Sequence, residues 1–563
     1  MSGSAISTEG NQLNPEGLSM TSVFDESAQL NRDSLVIFLF GFVIFTFALT
    51  PEFIHIQARF ALFAQEMFKN GPTLFPTTYQ RPYPDYLVTS TFVIYLVSLL
   101  FGKVTPFSTE LPTAVTSTLI LVVTYRIGAI QSRKWGLAAV LFALSTYLFV
   151  SESRSISLDQ YVSLATVLCF YLVYSADITG KRKRLWFIPL ILVMGFSFRG
   201  PIGLIIPAAV VCSYYLWAGE FKKSIVMGLM ALSVLIICSV GLLAAAYIQD
   251  GEVFVKRIIN AQATGRLVHS KESHFFYWYR CLSDCAVSYP LAILVIVAGF
   301  KNILRRESDS YKLIGYLVCW ILIVLIGMSV PAEKKIRYIL PIVPALSLVA
   351  AYLLIDSSIK GVLFETKRIV LSTCSFLPLL ASIATVVILS FCNYFGLDVD
   401  VHYIIASILL IGLTIITEIV KRRLKNHPNQ DVILAAVGVA VFIIVSIGIV
   451  EPVSLAVEST KPFVEKVKSL QRERPGEIVF YQIGPDAEDI KFVANYDKPI
   501  KPAFITNVED LLRQSPQVYL IALQKEFDDL PEKIAQKMQV QFYGKIGHKN
   551  YVVFFPKDLG EPD

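Results

Sequence analysis

Two polar stretches, each set between long apolar runs, carry the side chains best suited to chemistry. The first, 51–86, holds Glu52; the second, "SESRSISLDQ" at 151–160, holds Arg154 and Asp159. A carboxylate held beside a membrane can take a proton from a hydroxyl as a general base, and nearby cations can hold an anionic leaving group. Taken alone, Glu52 reads as a first-turn acid that complements a helix dipole. Two acids on one face suggest a site. The residues after Glu52 supply a positioning element: Ile54, Ala58, Ala61, Leu62 and Met67 recur mostly at three- and four-residue steps, with Gln57, Arg59, Gln65 and Glu66 between them. That pattern predicts an amphipathic helix over 54–68, headed by Glu52 and lying along the bilayer interface. Asn70-Gly71-Pro72 ends it, as a left-handed cap followed by a helix breaker would.

The elements around these stretches are membrane spans. Of 563 residues, 54% are hydrophobic and only 17% charged, with a mean hydropathy of +0.58, which excludes an ordinary soluble protein and defines a polytopic α-helical membrane protein. Apolar runs from residue 35 to residue 450 provide about thirteen spans at roughly twenty residues each. The net charge of +6 is parcelled out among short loops and is no signal for nucleic acid. "RIGAIQSRK", "GKRKRL", "EFKK", "KNILRR" and "KRRLKN" are expected on the cytoplasmic side. Keeping "RIGAIQSRK" there requires 86–101 to be a juxtamembrane or re-entrant helix on the outer side. Three external loops then share a face: 51–111, 151–160 and 251–290. Residues 1–33 read as a disordered cytoplasmic tail, 34–450 as the membrane domain, and 451–563 as an extracytoplasmic α/β domain. In that last domain "EIVFYQI" and "QVYLIAL" read as strands and "VQFYGKI" with "YVVFF" as a hairpin-like pair.

Other motifs carry less. Of the eight cysteines, Cys281 and Cys285 stand four apart in the long third loop, and the rest read as apolar packers. No cysteine and histidine spacing fits a zinc site, and no glycine-rich loop fits a phosphate cradle. No cofactor is called for, and a divalent metal is left open. Lys334, Lys335, Arg337 and Arg199 stand at the ends of apolar runs, where snorkelling or topology by itself would suit them. The third loop adds Lys256, Arg257, Arg266, His269, Lys271 and "HFFYWYR", for which an aromatic belt is the default and closure over a sugar the alternative.

Several of these segments resemble the polyprenyl-phosphate-sugar glycosyltransferases of the GT-C type. "ARFALFAQEMFKNG" is similar to the helix of that family's first external loop, and "SRSISLDQYVSLATVLCFYLVYS" to its Arg/Asp segment, with Arg154 and Asp159 on the matching positions. "FSFRGPIGLIIP" and "EKKIRYILPIVPALSLVAAYLL" match two further family patterns. Protein O-mannosyltransferases and the ArnT-like aminoarabinose transferases of lipid A are the nearest in pattern. The family's acid just before the helix is replaced here by Ile56 and Gln57, and its lysine motif by "RPYPD", which offers Arg81 as a substitute and brings in Asp85.

The resemblance implies a membrane glycosyltransferase with a GT-C fold. It implies inverting transfer of a sugar from a polyprenyl-phosphate donor to a lipid, glycan or protein acceptor, lipid A among them, at the periplasmic face of a bacterial inner membrane. The first acid is Glu52 or Asp85, with Glu52 favoured as base and Asp159 as the orienting partner. Arg59, Arg81, Arg154, Arg199, Lys334, Lys335, Arg337 and Tyr338 are the expected contacts to the substrate or its lipid phosphate. Two rivals are a flippase of lipid-linked sugars, against which the absence of an internal repeat argues, and an O-antigen ligase or polymerase, whose donor is diphosphate-linked.

Overall fold

A computed structural model describes residues 20–54, 58–264, 272–355, 360–392, 401–425, 427, 429–485, 489–496 and 500–557. His55, Ile56, Gln57, Arg266, His269 and Lys271 lie outside the described residues, as do residues 1–19 of the tail. Backbone in a bilayer has to be paired within its own segment, so the apolar runs fold as helices. In chain order the first ten are α1 (Met20–Thr46), α2 (Ala58–Asn70), α3 (Val88–Phe101), α4 (Pro106–Ala129), α5 (Arg133–Leu144), α6 (Tyr147–Ser153), α7 (Leu158–Thr179), α8 (Ile188–Arg199), α9 (Pro201–Ala218) and α10 (Phe221–Ile259). There follow α11 (Phe276–Asp284), α12 (Ser288–Arg305), α13 (Asp309–Ser329), a 3-10 turn at Ile336–Ile342 leading into α14 (Val343–Ile355), α15 (Val362–Cys392), α16 (Val401–Arg423) and α17 (Gln430–Val445).

Eleven helices among the described residues are long and apolar enough to cross a membrane, or twelve if α5 and α6, bent by 75° at their junction, form one span. The expected count was about thirteen. The difference is α8, which has 12 residues, well short of the roughly twenty that a bilayer demands. It ends where Gly200 takes φ 66° and ψ −151°, a conformation that only glycine adopts readily. The chain then doubles back as α9, and α8 and α9 approach so closely that a Cβ on Gly195 would lie 2.1 Å from the carbonyl oxygen of Gly203. α3, at 14 residues, is also too short to span and has the length expected of a re-entrant or juxtamembrane helix. The tail differs from expectation, since α1 already begins at Met20. Asp33 accounts for order at the end of that stretch, because it accepts a hydrogen bond from the Tyr125 hydroxyl at 2.7 Å and pairs with Arg133 at 2.6 Å.

The C-terminal domain is a five-stranded mixed sheet flanked by short helices. Its strands follow β1 (Thr77–Thr78) and β2 (Arg81–Pro82) of the first loop: β3 (Ile478–Tyr481), β4 (Ala503–Ile505), β5 (Tyr519–Leu523), β6 (Met538–Ile546) and β7 (Lys549–Pro556), in the spatial order β4-β3-β5-β7-β6. β3 runs parallel to β4 and β5, while β7 is antiparallel to β5 and β6. The parallel centre is buried on both faces and accordingly reads "IVFY" and "YLIAL". One face packs under Val464 and Val467 of the helix Lys461–Glu473, together with Phe53, Ala58, Ala61 and Leu62 from the first loop. On its other side α2 packs Phe60, Phe63 and Ala64 against Ile94, Ile156 and Leu158. The expectation of an interfacial helix is thereby corrected: protein covers the apolar face of α2, which joins the membrane domain to the sheet.

Candidate functional site

Asp159 stands in the first turn of α7, where a helix N-terminus favours negative charge. Its carboxylate is buried and faces two guanidinium groups. Arg199 Nε donates to Oδ1 at 3.0 Å, and Arg337 Nε lies 3.3 Å from Oδ2. The α8–α9 reversal at Gly200 sets Arg199 at the tip of its hairpin, and the 3-10 turn before α14 presents Arg337. Tyr338, next in sequence, puts its ring 5.2 Å from the Arg199 guanidinium. Residues far apart in the chain, 159, 199, 337 and 338, thus form one largely buried cluster in which two cations turn to Asp159.

Arg154 is placed differently, although it shares a motif with Asp159. Its Nε and Nη2 donate to both oxygens of Glu451, at 2.6 and 2.8 Å. Nη1 and Nη2 also donate to the carbonyls of Ile44 and Ala48, which lack intrahelical partners at the end of α1. Every terminal nitrogen of Arg154 therefore ties spans together. Glu52 lies ahead of α2, not at its head, and is buried. Its Oε1 accepts from the Ser459 hydroxyl at 2.6 Å, and Oε2 accepts from the backbone N–H groups of Thr460 and Lys461, both at 2.8 Å. The helix that it caps is Lys461–Glu473 of the C-terminal domain, which is the dipole effect foreseen but on a helix 409 residues away in sequence. Asn495 reinforces the junction by accepting from Phe53 N and donating to Phe53 O, both at 2.9 Å.

The remaining first-loop residues line a path toward the Asp159 cluster. Arg59 donates to the Tyr83 hydroxyl at 2.6 Å, and the Tyr83 ring stacks on Tyr86 at 5.8 Å; Tyr86 in turn acts electrostatically on Arg199 and Arg337. Arg81 is exposed on β2, the second strand of a hairpin whose turn residues Tyr79 and Gln80 have positive φ. Glu66 holds that turn by accepting from Thr77 Oγ1, Tyr79 N and Gln80 N. Asp85 is half-buried, and its backbone carbonyl accepts from Gln262 at 2.9 Å. Lys334 is buried and donates to Pro331 O. Lys335 is half-exposed beside Glu333; burial pulls its ammonium toward neutrality, but the nearby Tyr338 and Glu333 outweigh that and hold it above the usual lysine range. Cys281 and Cys285 are buried free thiols. No group of three or more His, Cys, Asp or Glu among the described residues is arranged to hold a metal ion.

A cavity of about 430 Å³ opens between the end of α1, α4, α6 and residues 446–454. Glu52, Glu110, Glu152 and Glu451 all line it, with Arg154. Glu110 and Glu152 were not singled out in the sequence, because a lone acid next to an apolar run, as in "STELPT" and "SES", is the usual first- or second-turn helix residue. Both have a buried Oε2 with no hydrogen-bond partner among the described residues. Glu152 also interacts electrostatically with Asp159, Arg199 and Arg337, so it stands between the cavity and the arginine cluster.

A bundle of this span number, with a first loop folded into helices and a terminal sheet packed against that loop, has the fold of the GT-C type. The crystal structure of ArnT from Cupriavidus metallidurans bound to undecaprenyl phosphate has this fold, with a TM-score of 0.68 at 12% identity over 97% of this chain and 100% of that one. Among curated sequences the chain is 26% identical, over 54% of its own length and 55% of the relative's, to the undecaprenyl phosphate-alpha-4-amino-4-deoxy-L-arabinose arabinosyl transferase of Yersinia enterocolitica. A Pseudomonas fluorescens protein of the same description, number 1, is 24% identical over 58% and 60%. A family model described as dolichyl-phosphate-mannose-protein mannosyltransferase matches residues 87–243. The chain spans about half the length of the curated relatives it matches, and it resembles the GT-C, ArnT-like group.

Proposed function

We propose that this protein is a glycosyltransferase that moves a sugar from a polyprenyl-phosphate carrier to a lipid, glycan or protein acceptor, with inversion at the anomeric carbon. The observation that carries the reading is the pair of guanidinium groups gathered at Asp159. Arg199 and Arg337 both face its carboxylate, with Glu152 acting on them as well, and together they offer a departing lipid phosphate two planar donors. As the C1–O bond to phosphate breaks, the phosphate gains negative charge, which planar guanidinium donors stabilise. Asp159 holds both arginines in place and orients them, while Tyr338 covers Arg199. Arg81 and Lys335 steer the headgroup from the surface, and Arg59 acts through the Tyr83–Tyr86 stack. The names of the relatives make undecaprenyl phosphate the lipid carrier to try first and an aminopentose the first sugar, and the resemblance of the sequence motifs makes lipid A the first acceptor. The site faces the periplasm of a bacterial inner membrane, as the basic loops at the opposite ends of the spans support.

The test is transfer from synthetic undecaprenyl-phosphate sugars in proteoliposomes, alongside mass spectrometry of lipid A and envelope glycans from a deletion strain. Product formation by the unmodified protein, with a loss of at least tenfold in Asp159→Asn, is the expected result. Movement of the labelled lipid between leaflets without any transfer would replace this reading by a flippase. Sidedness is checked with a cysteine at Ser515: it should react with an impermeant reagent in intact spheroplasts, and protection there would reverse the orientation.

A further inference from the structure

We infer that Glu152 is the general base of the transfer and that the cavity of about 430 Å³ is where the acceptor hydroxyl enters; this rests on the transferase reading above. Glu52 has both carboxylate oxygens engaged by three donors at the Ser459–Lys461 cap. Asp159 has both oxygens turned to arginines. A base must keep an oxygen free for the incoming proton and must stand within reach of the carbon being attacked. Glu152 meets the first condition: its Oε2 is buried and unpartnered among the described residues, with the Ser157 side chain as polar neighbour. It lines the cavity on one side and acts on Asp159, Arg199 and Arg337 on the other.

Glu110 also lines the cavity with an unpartnered oxygen. Its charged neighbours, however, are Arg154 and Glu451 and not the arginines of the phosphate cluster, so it stands at the far wall. An in-line displacement needs base and leaving-group cations on opposite faces of the sugar, which we seat between Glu152 on the cavity side and the two arginines. The acceptor oxygen, entering from the cavity, forms its bond to C1 as its proton passes to Glu152. The C1–O bond on the opposite face breaks, and the lipid phosphate leaves with the electron pair toward Arg199 and Arg337. Every atom and charge is accounted for without a co-reactant.

The deciding experiment compares Glu152→Gln and Glu110→Gln with the unmodified protein in the same proteoliposomes. Three quantities are read: turnover, the affinity for undecaprenyl phosphate, and the dependence of turnover on pH. Glu152→Gln should lower turnover by roughly two to four decades, leave undecaprenyl phosphate affinity within about twofold, and abolish the rise of rate with pH that ionisation of the base produces. Glu110→Gln should keep that rise. Turnover in Glu152→Gln within a few-fold of normal would overturn the assignment while leaving the transferase reading intact, and so would loss of the pH limb in Glu110→Gln alone. Failure of the unmodified protein to transfer any sugar would overturn the transferase reading and the base assignment with it.

Discussion

Two buried arginines within one helical hairpin of each other illustrate how identical side chains take opposite roles. Arg154 meets Glu451 through two hydrogen bonds and turns its remaining N–H groups to the open end of α1. Its charge is matched one to one and its donors are used by the protein itself. Arg199 and Arg337 both turn to Asp159, with the Glu152 carboxylate acting on the two of them from nearby. The Arg154–Glu451 pair ties spans together, whereas the two guanidinium groups at Asp159 are the ones proposed to meet the lipid phosphate. Glu52 belongs with the first group, since its three donors make it a clamp between the first loop and the C-terminal sheet.

Breaking the two arrangements separately should give different signatures. Arg337→Gln, which removes one of the two cations but leaves the Asp159–Arg199 pair whole, should cost about 10²–10³ in turnover and weaken undecaprenyl phosphate binding to a similar degree. Its melting temperature in detergent should stay near that of the unmodified protein; unchanged phosphate affinity would end the distinction between the clusters. Arg154→Met should do the reverse. It strands Glu451 and the α1 carbonyls, so a stability loss on the order of 3 kcal/mol is expected, read as a lower melting temperature, with phosphate affinity preserved in the folded fraction. At the smallest end, Lys335→Gln should weaken phosphate binding only a few-fold, and added salt should erase the difference, because a half-exposed charge is screened.

Much of this could be read along the chain. The number and order of apolar runs, the shortness of 86–101, the strands "IVFY" and "YLIAL" and the candidacy of Asp159, Arg199, Arg337 and Tyr338 all rest on local composition, period or motif. Asp159 and Arg154 could not be told apart, because they sit on one turn and what separates them is whether the partner is one carboxylate for one arginine or one for two. Glu110 and Glu152 were invisible for a related reason: each looks like an ordinary acid beside a helix, and only the packing around it shows an oxygen without a donor.

The sequence by itself determined that the chain crosses a membrane many times and ends in an α/β domain, since hydropathy and strand alternation are local properties that the bilayer and the sheet read directly. Tertiary structure decided the rest. The apolar stripe of α2 fixes that this face is covered but not by what, and the covering turned out to be the sheet and α3, not lipid. Glu52 complements a helix dipole, as its type and position suggest, but on a helix of the C-terminal domain, because a carboxylate's partners are set by which N–H groups the fold brings within about 3 Å and not by its neighbours in the chain.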